Sequence, residues 1–408
     1  MNKVINDVTC AACGCVCEDI TVRIEDGRIV GVDNACALCE TRLLGQSHSQ
    51  PATAEIDGQA ATTSAAIEHS VKILAASRAP LICGLAGSTI ETQRAAVALA
   101  DRLGATIDPS LPAFHRAAIL AMQSVGVSTC TLGEVKQRAD LVIFWGADPA
   151  TTHPSLYKRF LDPPGEFVSK RHIINISAEQ NQNRADKFLS LQQENNYVAL
   201  AALRALIAGT EVQLDEVDGV SIDQLHSLVT RLQDANYSVI FFGPEIGGVA
   251  EIEALFLLVR QLNARSSCAA IGLGGTQCEN ALAWQTGYPC GVNFALGYPR
   301  YDPQAYSANT LLERGEVDAV VVVGSEGLDE LTAAASARLG DIPMILLENA
   351  EASNALSATV RMTTAVPGVH CGGTVFRMDG VPLRLRSIFD SPLPSAAILL
   401  AALQERVS

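Results

Sequence analysis

The apolar positions along the chain follow two different patterns. In residues 19–32 apolar and polar side chains alternate around Asp26-Gly27, which predicts a β-hairpin with its turn at that pair. From about residue 79 onward, short continuous apolar runs alternate with segments of helical periodicity, as in residues 79–87 followed by 89–103. Continuous apolar strands separated by helices indicate parallel sheets that are covered on both faces. The pattern therefore predicts an α/β protein that begins with a small β unit.

Two of the apolar runs, residues 140–148 and 318–326, are close variants of each other, and each enters a turn through glycine. They predict two similar doubly wound parallel-sheet domains. Ligands of open parallel sheets bind beyond the carboxyl ends of the strands. The candidate turns there are Gly84 to Ser88, Gly146 to Thr152, Gly243-Pro244, Gly324 to Gly327 and the glycine-rich Gly272 to Gly275. The chain has neither a GxxxxGK[ST] loop nor a GxGxxG after a strand, so none of these turns is identified as a phosphate loop.

Composition narrows the class of protein. The 408 residues are 48% hydrophobic and only 18% charged, which allows a large interior divided into two or three domains. A net charge of −15 argues against sequence-independent binding of nucleic acid or of anionic membranes. No basic segment followed by an apolar one opens the chain, and no apolar run approaches the length of a membrane helix. We therefore expect a soluble, cytoplasmic protein.

Six of the twelve cysteines lie between positions 10 and 39, a density that favours a bound metal or cluster. Cys10, Cys13, Cys17 and Cys36 have a spacing that can surround one 4Fe-4S cluster. Cys10, Cys13, Cys36 and Cys39 form two CxxC pairs and are the alternative, a tetrathiolate zinc site. Disulfides and free structural thiols are the remaining possibilities, and disulfides are the less favoured because cytosolic thiols stay reduced.

Several longer motifs resemble one known family. They are Cys17-Glu-Asp-Ile, residues 131–140 leading into Trp145-Gly-Ala-Asp-Pro149, residues 284–303, and residues 372–382. Together they resemble the B subunit of formylmethanofuran dehydrogenase almost from end to end. The resemblance implies a molybdopterin or tungstopterin oxidoreductase fold of the formate-dehydrogenase type, here without the C-terminal β-barrel. It also implies an iron-sulfur cluster in the N-terminal unit and two pterin guanine dinucleotides between the two α/β domains.

The resemblance also implies a division of the chain into three units. The cysteine-rich β domain is expected at 1–50 and 368–395, the first α/β domain at 51–112 and 236–367, and the second, inserted in the first, at 113–235. A vestigial pterin cleft is expected around five residues: Gly146, Asp148, Gly324, Gly373 and Thr374.

The chain departs from the family pattern where the metal ligand is expected. Phe114 stands at the position of the ligating cysteine, just before His115, and a phenyl ring has no lone pair for molybdenum or tungsten. Asp148 replaces an asparagine that would face an anionic dinucleotide. In Gly368-Val-His370-Cys371, the last two residues replace a Glu-Ala pair. Together these changes predict a redox subunit that has lost its metal-pterin centre.

The remaining candidate residues have competing interpretations. Arg300 could hold a carboxylate or phosphate group, or it could form a structural ion pair. Phe114, His115 and Arg300 together are predicted to mark a relic of the active site. His115, His153 and His370 each also fit the role of a hydrogen-bonded core or turn histidine.

A degenerate protein of this kind is similar to the B subunit of the bacterial formyltransferase/hydrolase complex, which belongs to tetrahydromethanopterin-linked oxidation of formaldehyde to formate. The resemblance then implies a non-catalytic scaffold with three kinds of partner: a formyltransferase subunit, an amidohydrolase-like subunit and a β-helical C subunit. The family architecture also implies that this subunit could line a passage for a carrier cofactor. The alternative is an active dehydrogenase subunit that binds its metal through a substitute ligand such as His115. An unrelated thiol or nucleotide-binding enzyme is a third, less favoured hypothesis.

Overall fold

The structure is a computed structural model that describes residues 2–48, 53–180, 184–276, 278–349 and 356–407. It contains a small antiparallel sheet at the N-terminus and two larger sheets made mainly or wholly of parallel strands. The predicted α/β architecture is therefore confirmed. None of the helices in these ranges is long and apolar enough to cross a membrane.

The N-terminal unit is a three-stranded meander. Its strands are Lys3–Cys10, Cys17–Glu25 and Arg28–Asp33, and the short helix Ala37–Leu43 follows them. Asp26 and Gly27 have φ angles of 48° and 77°, the left-handed conformation that a two-residue hairpin loop requires at both positions. The hairpin predicted from Asp-Gly is confirmed.

The first α/β unit is built on a nine-stranded sheet. The strands at its centre pair in parallel, and antiparallel strands extend both edges. In spatial order the strands are Arg300–Tyr301, Val292–Asn293, Thr106–Ile107, Pro80–Gly84, Ala319–Val323, Met344–Asn349, Val360–Thr364, Ala54–Ile56 and Gln59–Ala61.

Helices cover both faces of this sheet. Along Ala319–Val323, Val321 and Val323 pack into one core while Val320 and Val322 pack into the other. The helices on the first face are Thr63–Ala76, Ile90–Leu103, Cys278–Thr286 and Ala396–Arg406, and those on the second are Ala308–Glu313 and Ala333–Leu339. Burial on two faces is the reason that the central strands have no polar alternation.

The second α/β unit is a five-stranded, all-parallel sheet. Its strands in spatial order are Lys187–Ser190, His172–Ser177, Leu141–Trp145, Tyr237–Phe242 and Ser267–Gly272. One face packs against four helices, which are Ala113–Val125, Asn196–Ile207, Ile222–Asp234 and Val249–Leu262. The opposite face contacts the helix Leu132–Arg138, the π-helix Tyr157–Leu161 and the N-terminal unit.

The N-terminal unit therefore completes the second α/β unit. Phe144 and Phe241 of the five-stranded sheet share one hydrophobic core with Cys10, Cys17 and Cys39. Residues 366–389 return to the same core, and their hairpin consists of Gly373–Phe376 and Pro382–Leu385. The cysteine-rich segment is thus packed against the five-stranded sheet.

One domain boundary differs from the sequence prediction. Strands Tyr237–Phe242 and Ser267–Gly272 pair in the five-stranded sheet, so the second unit continues to residue 272 and not to 235. The Asp140 carboxylate accepts the backbone N–H groups of Asn236 and Tyr237, which fixes the start of the returning strand beside its neighbour. The expected boundary between residues 50 and 51 lies outside the described residues.

The carboxylate of Asp108 connects four segments around the first sheet. It is almost completely buried and accepts both bonds from Nη2 of Arg116, at 3.0 and 2.9 Å. It also accepts the backbone N–H groups of Gly291 at 3.1 Å and Ala308 at 2.8 Å. Each of its bonds is therefore made in an environment from which water is excluded, where an unpaired charge is costly.

We predict that Asp108→Asn lowers the free energy of unfolding by about 3 kcal/mol, because it leaves the Arg116 guanidinium charged and unpaired. Urea denaturation followed by circular dichroism measures the change. The matched control is Asp33→Asn, which removes the ion pair with Arg23 between side chains that are 52% and 49% exposed. The control should cost less than about 1 kcal/mol, and equal losses in both variants would contradict the role assigned to Asp108.

Candidate functional site

A cleft opens at the carboxyl end of the five-stranded sheet. Its volume is about 1430 Å³, including the space at its open mouth. Its walls come from the helices Ala113–Val125 and Cys278–Thr286, from the glycine-rich segment 272–275, and from the hairpin turn at 378–380. This is the position where open parallel sheets bind ligands.

Phe114 lies inside this cleft, on the first turn of the helix Ala113–Val125. Its ring meets Phe242 edge-on with 5.7 Å between the ring centroids, and it lies 4.9 Å from the His115 ring. A Cβ added to Gly272 would be 3.5 Å from the Phe114 Cζ atom, in ordinary van der Waals contact. The phenyl ring therefore covers the end of the strand that leads into the cleft.

Two histidines contact Gly274, a residue whose backbone lines the cleft. Nε2 of His115 lies only 1.8 Å from the position that a Cβ of residue 274 would occupy, so a side chain at this position would have to displace the His115 ring. Nε2 of His153 lies 2.8 Å from the Gly274 carbonyl oxygen. Since a carbonyl only accepts, the Nε2 of His153 carries the proton and donates it.

Both histidines are held in the neutral form. Burial, and secondarily the nearby His153, lowers the pKa of His115 to about 4. Burial also lowers the pKa of His153, and its hydrogen bond to Gly274 opposes the shift only in part. The neutral His115 ring therefore keeps a lone pair at physiological pH.

The cysteine-rich loop contacts the other side of the same glycine-rich segment. A Cβ added to Gly14 would lie 2.2 Å from the Gly274 carbonyl oxygen and 2.8 Å from Cβ of Met378. Gly14 therefore permits a backbone-to-backbone contact that no other residue could make. Gly274 therefore both lines the cleft and contacts the cysteine-rich loop.

The clustered thiols interact with one another in pairs. The Cys39 thiol donates a hydrogen bond to Cys10 and lowers the Cys10 pKa to about 7, against the effect of burial. Cys15 lowers the pKa of Cys13 in the same way. The pKa of the donor thiols Cys15 and Cys39 is raised by these bonds and by burial. Burial raises the pKa of Cys17 to about 12.

Sulfur is the donor that zinc and iron-sulfur clusters take from proteins, and all six N-terminal cysteines lie in or against one core. Every cysteine side chain that the structure describes is a free thiol. The thiols are arranged in hydrogen-bonded pairs, and within the described ranges no three Cys, His, Asp or Glu side chains form a ready ligand set. The choice between the two sets of four cysteines therefore remains a prediction.

Arg300 lies away from the cleft. It is on the edge strand Arg300–Tyr301 of the nine-stranded sheet, where Nη2 donates to Oδ1 of Asn293 at 2.5 Å. The guanidinium lies over the Tyr306 ring, 5.4 Å from its centroid. Its buried Nε atom has no acceptor among the described residues, and Arg300 does not line the cleft with Phe114 and His115.

The residues predicted for a pterin cleft are distributed over three places. Gly146 and Asp148 follow the strand Leu141–Trp145, where the Asp148 carboxylate caps a short helix by accepting from Ala150 and Thr151. Gly324 follows Ala319–Val323 in the other sheet and has a φ angle of 72°.

Gly373 and Thr374 lie on the C-terminal hairpin, where the Thr374 N–H and hydroxyl groups donate to Glu91. His370 binds the Ser47 carbonyl and accepts from the Val366 N–H. These contacts are structural, as the hydrogen-bonded interpretation of His370 expects.

The sequence named His153 as a hydrogen-bonded histidine, which its bond to Gly274 agrees with, but it did not indicate that His153 lies near His115, nor did it indicate the aromatic wall. His153 is 38 residues after His115 in the chain, and Phe242 comes from another strand. The one available signal was the run Gly272-Leu-Gly-Gly275, which does mark a close backbone approach.

Comparisons with known proteins give consistent relatives. The chain is 32% identical to the B subunit of the tungsten-containing formylmethanofuran dehydrogenase 2 of Methanocaldococcus jannaschii, over 98% of both chains. It is 29% identical to the protein of that name in Methanococcus maripaludis, over 96% of this chain and 95% of the relative. The B subunit of the formyltransferase/hydrolase complex Fhc of Methylorubrum extorquens is 28% identical, over 79% of this chain and 87% of the relative.

A solved structure has the same fold. It is a chain from the crystal structure of the M. extorquens formyltransferase/hydrolase complex FhcABCD with methylofuran, at 27% identity and a TM-score of 0.75. The match covers 87% of this chain and 98% of that chain. No family model matches the sequence.

We predict that Gly14→Ala destabilises the protein by about 1 to 3 kcal/mol, because its methyl group has to displace the backbone carbonyl of Gly274. It should also expose the cysteine loop, so that its thiols react faster with a thiol reagent under native conditions. Gly275→Ala is the matched control, since a Cβ there would meet nothing within 4 Å. Similar stability and similar thiol reactivity in the two variants would show that the contact is unimportant.

Proposed function

Because the chain belongs to the family of formylmethanofuran dehydrogenase B subunits, we propose that it is the B subunit of a formyltransferase/hydrolase complex whose metal-pterin centre has been lost. In this role it acts in tetrahydromethanopterin-linked one-carbon metabolism as a scaffold for catalytic subunits and is not itself catalytic. The solved relative comes from a complex of several subunits, which supports a hetero-oligomeric role.

Phe114 is the observation that carries this proposal. The family resemblance places the metal-ligating side chain at this position, and a phenyl ring offers no lone pair to tungsten or molybdenum. The ring packs against Phe242 and over Gly272, at the site where the metal would be needed. The residues present therefore do not fit a metal ligated from position 114.

Asp148 supports the same conclusion through electrostatics. Its carboxylate follows a strand at the carboxyl edge of the five-stranded sheet and already accepts two local hydrogen bonds. A carboxylate in place of an amide would repel the phosphate groups of a bound dinucleotide.

An active dehydrogenase subunit is the second candidate function. The tungsten-containing relatives match nearly the whole chain at 32% and 29% identity, whereas the Fhc relative matches 79% of it at 28%. His115 lies beside Phe114 in the cleft and is neutral, so it is the side chain that would hold the metal in this case. Such a metal would supply redox chemistry at the formyl group.

The companion subunits follow from the scaffold proposal. A complex of this kind needs a formyltransferase, an amidohydrolase-like subunit that releases formate, and a β-helical C subunit. We place the complex in the cytoplasm. The solved relative was crystallised in complex with methylofuran, and we propose that the formyl carrier of this complex is a compound of that kind.

We predict that the native complex, purified without oxygen, contains tungsten, molybdenum and pterin at far below one equivalent per chain. Metal analysis by mass spectrometry and fluorescence of the oxidised pterin measure these contents. The tungsten-containing relative from M. maripaludis, purified in the same way, is the positive control. Stoichiometric tungsten or molybdenum that is lost in His115→Gln would overturn the scaffold proposal in favour of the dehydrogenase.

We further propose that Cys10, Cys13, Cys17 and Cys36 hold a 4Fe-4S cluster, with zinc on Cys10, Cys13, Cys36 and Cys39 as the alternative. A cluster retained without a redox partner would act as a structural link between the loop and the sheet beneath it. Arg159 and Cys17 line the same groove; burial raises the pKa of the Cys17 thiol, and the positive charge of Arg159 opposes that shift only in part.

Cys17 and Cys39 distinguish the two sets, because each belongs to only one of them. We predict that Cys17→Ser abolishes bound iron and acid-labile sulfide after anaerobic purification, while Cys39→Ser retains both. Elemental analysis of the two variants measures the difference. Zinc without sulfide in the wild type, lost in Cys39→Ser and kept in Cys17→Ser, would overturn the cluster assignment.

A further inference from the structure

A second concave surface includes Cys17 of the cysteine cluster. It is a groove of about 890 Å³, including the space at its open mouth. Four regions form it: the N-terminal unit through residues 16–19 and Asn34, the helix Leu132–Arg138, the π-helix Tyr157–Leu161 with the segment that follows it, and Arg377 of the C-terminal hairpin. We call this surface the basic groove because four of its side chains are lysine or arginine, which are Lys136, Lys158, Arg159 and Arg377.

The two arginines of the basic groove are already neutralised by carboxylates. Arg377 donates to both oxygens of Asp379, each at 2.7 Å. Arg159 donates to the carboxylate of Asp19 and, at 2.9 Å, to the carbonyl of Asn34. The Nε atom of Arg159 is buried and has no acceptor within the part of the chain that the structure describes. These two arginines therefore form part of the groove wall but add little net positive charge to it.

The two lysines have no carboxylate partner among the described residues. Lys158 is exposed and donates to Oδ1 of Asn34 at 2.7 Å, and an amide does not compensate an ammonium group. The Lys136 ammonium makes no hydrogen bond or ion pair to any described residue. Among the described residues that line the groove, Glu18 is the one carboxylate without an arginine partner, so the lysines outnumber it.

A third positive charge lies directly behind Lys136. Arg171 is buried, and its guanidinium donates to the backbone carbonyls of Leu161, Pro163 and Lys136. Carbonyl groups satisfy its hydrogen bonds without adding negative charge, and the nearby Asp162 carboxylate, whose charge acts on Arg171, is itself paired with Arg184. The basic groove is therefore a locally positive surface on a chain whose net charge is −15.

We propose that the basic groove is the docking site for an acidic, extended segment of a companion subunit. A positive surface attracts an acidic segment, and it repels the same positive surface on a second copy of the chain, which argues against two grooves facing each other. The groove is much larger than a single phosphate and includes the apolar surfaces of Val16, Phe160 and Pro163, which suit the stems of peptide side chains. This inference deepens the scaffold function and rests on it, because it states the chemistry of one partner.

Docking here would also cover the outer side of the cysteine cluster. Cys17 lines the basic groove together with Arg159. An acidic segment that binds the two lysines would therefore lie over the Cys17 side of the cluster and restrict access to it.

The test is fluorescence anisotropy with a labelled peptide of alternating glutamate and glycine, and with a peptide in which glutamine replaces glutamate. We expect the wild-type chain to bind only the acidic peptide, and to bind it more weakly as salt is raised. The double variant Lys136→Gln, Lys158→Gln should weaken binding about tenfold or more, which corresponds to about 1.4 kcal/mol. The matched double variant Lys3→Gln, Lys72→Gln removes the same charge elsewhere and should change binding less than about twofold.

Equal weakening in the two double variants would overturn the proposal, since binding would then depend only on net charge. Absence of binding by the wild type would also overturn it. Inorganic phosphate that displaces the peptide as well as unlabelled peptide does would contradict it too, because the groove would then be a site for small anions. None of these outcomes depends on the tungsten or pterin content, so the failure of this inference is distinguishable from failure of the scaffold proposal.

Discussion

The close contact of the backbone at Gly274 with its neighbours is the constraint on which the rest of the site depends. On one side the His115 ring fills the space that a side chain of residue 274 would need, and His153 binds the Gly274 carbonyl. On the other side Gly14 brings the cysteine loop against the same carbonyl. Three parts of the chain that are far apart in sequence are thereby fixed within one layer. A Cβ at position 14 would meet the Gly274 backbone, and a Cβ at position 274 would have to displace the His115 ring.

This contact helps to hold the cysteine-rich unit against the five-stranded sheet. Its thiols share a hydrophobic core with the aromatic residues of the five-stranded sheet, so the unit covers a face that would otherwise be exposed. In an oxidoreductase such proximity would serve electron transfer between a metal centre and a cluster. With Phe114 in the cleft, the same architecture supports a structural role, in which loop, sheet and C-terminal hairpin hold one another in place. The basic groove then lies on the outer surface of this assembly, where a companion subunit can reach it.

Much of the fold could be predicted from sequence because local chemistry determines it. Asp26-Gly27 specifies its turn through the left-handed conformation, and continuous apolar runs such as Ala319–Val323 specify buried parallel strands. The sheet to which a buried strand belongs has no such local signal, which is why the boundary at 235 was wrong while the strands themselves were predicted. The residues of the site likewise divide into those that have a local sequence signal and those that do not. Phe114 was identified from the position of one motif, whereas the contacts of His153, Phe242 and Gly14 are tertiary, and Arg300 lies on a sheet edge rather than in the cleft.

The central claim is that a phenyl ring occupies the place of a metal ligand. Anomalous diffraction at the tungsten and molybdenum absorption edges, from crystals of the native complex grown without oxygen, tests it most directly because it locates a heavy atom as well as detecting it. The account predicts no anomalous peak in the cleft beside Phe114 and His115. A peak within coordination distance of His115 would contradict it and would identify the chain as a working metal-dependent dehydrogenase subunit.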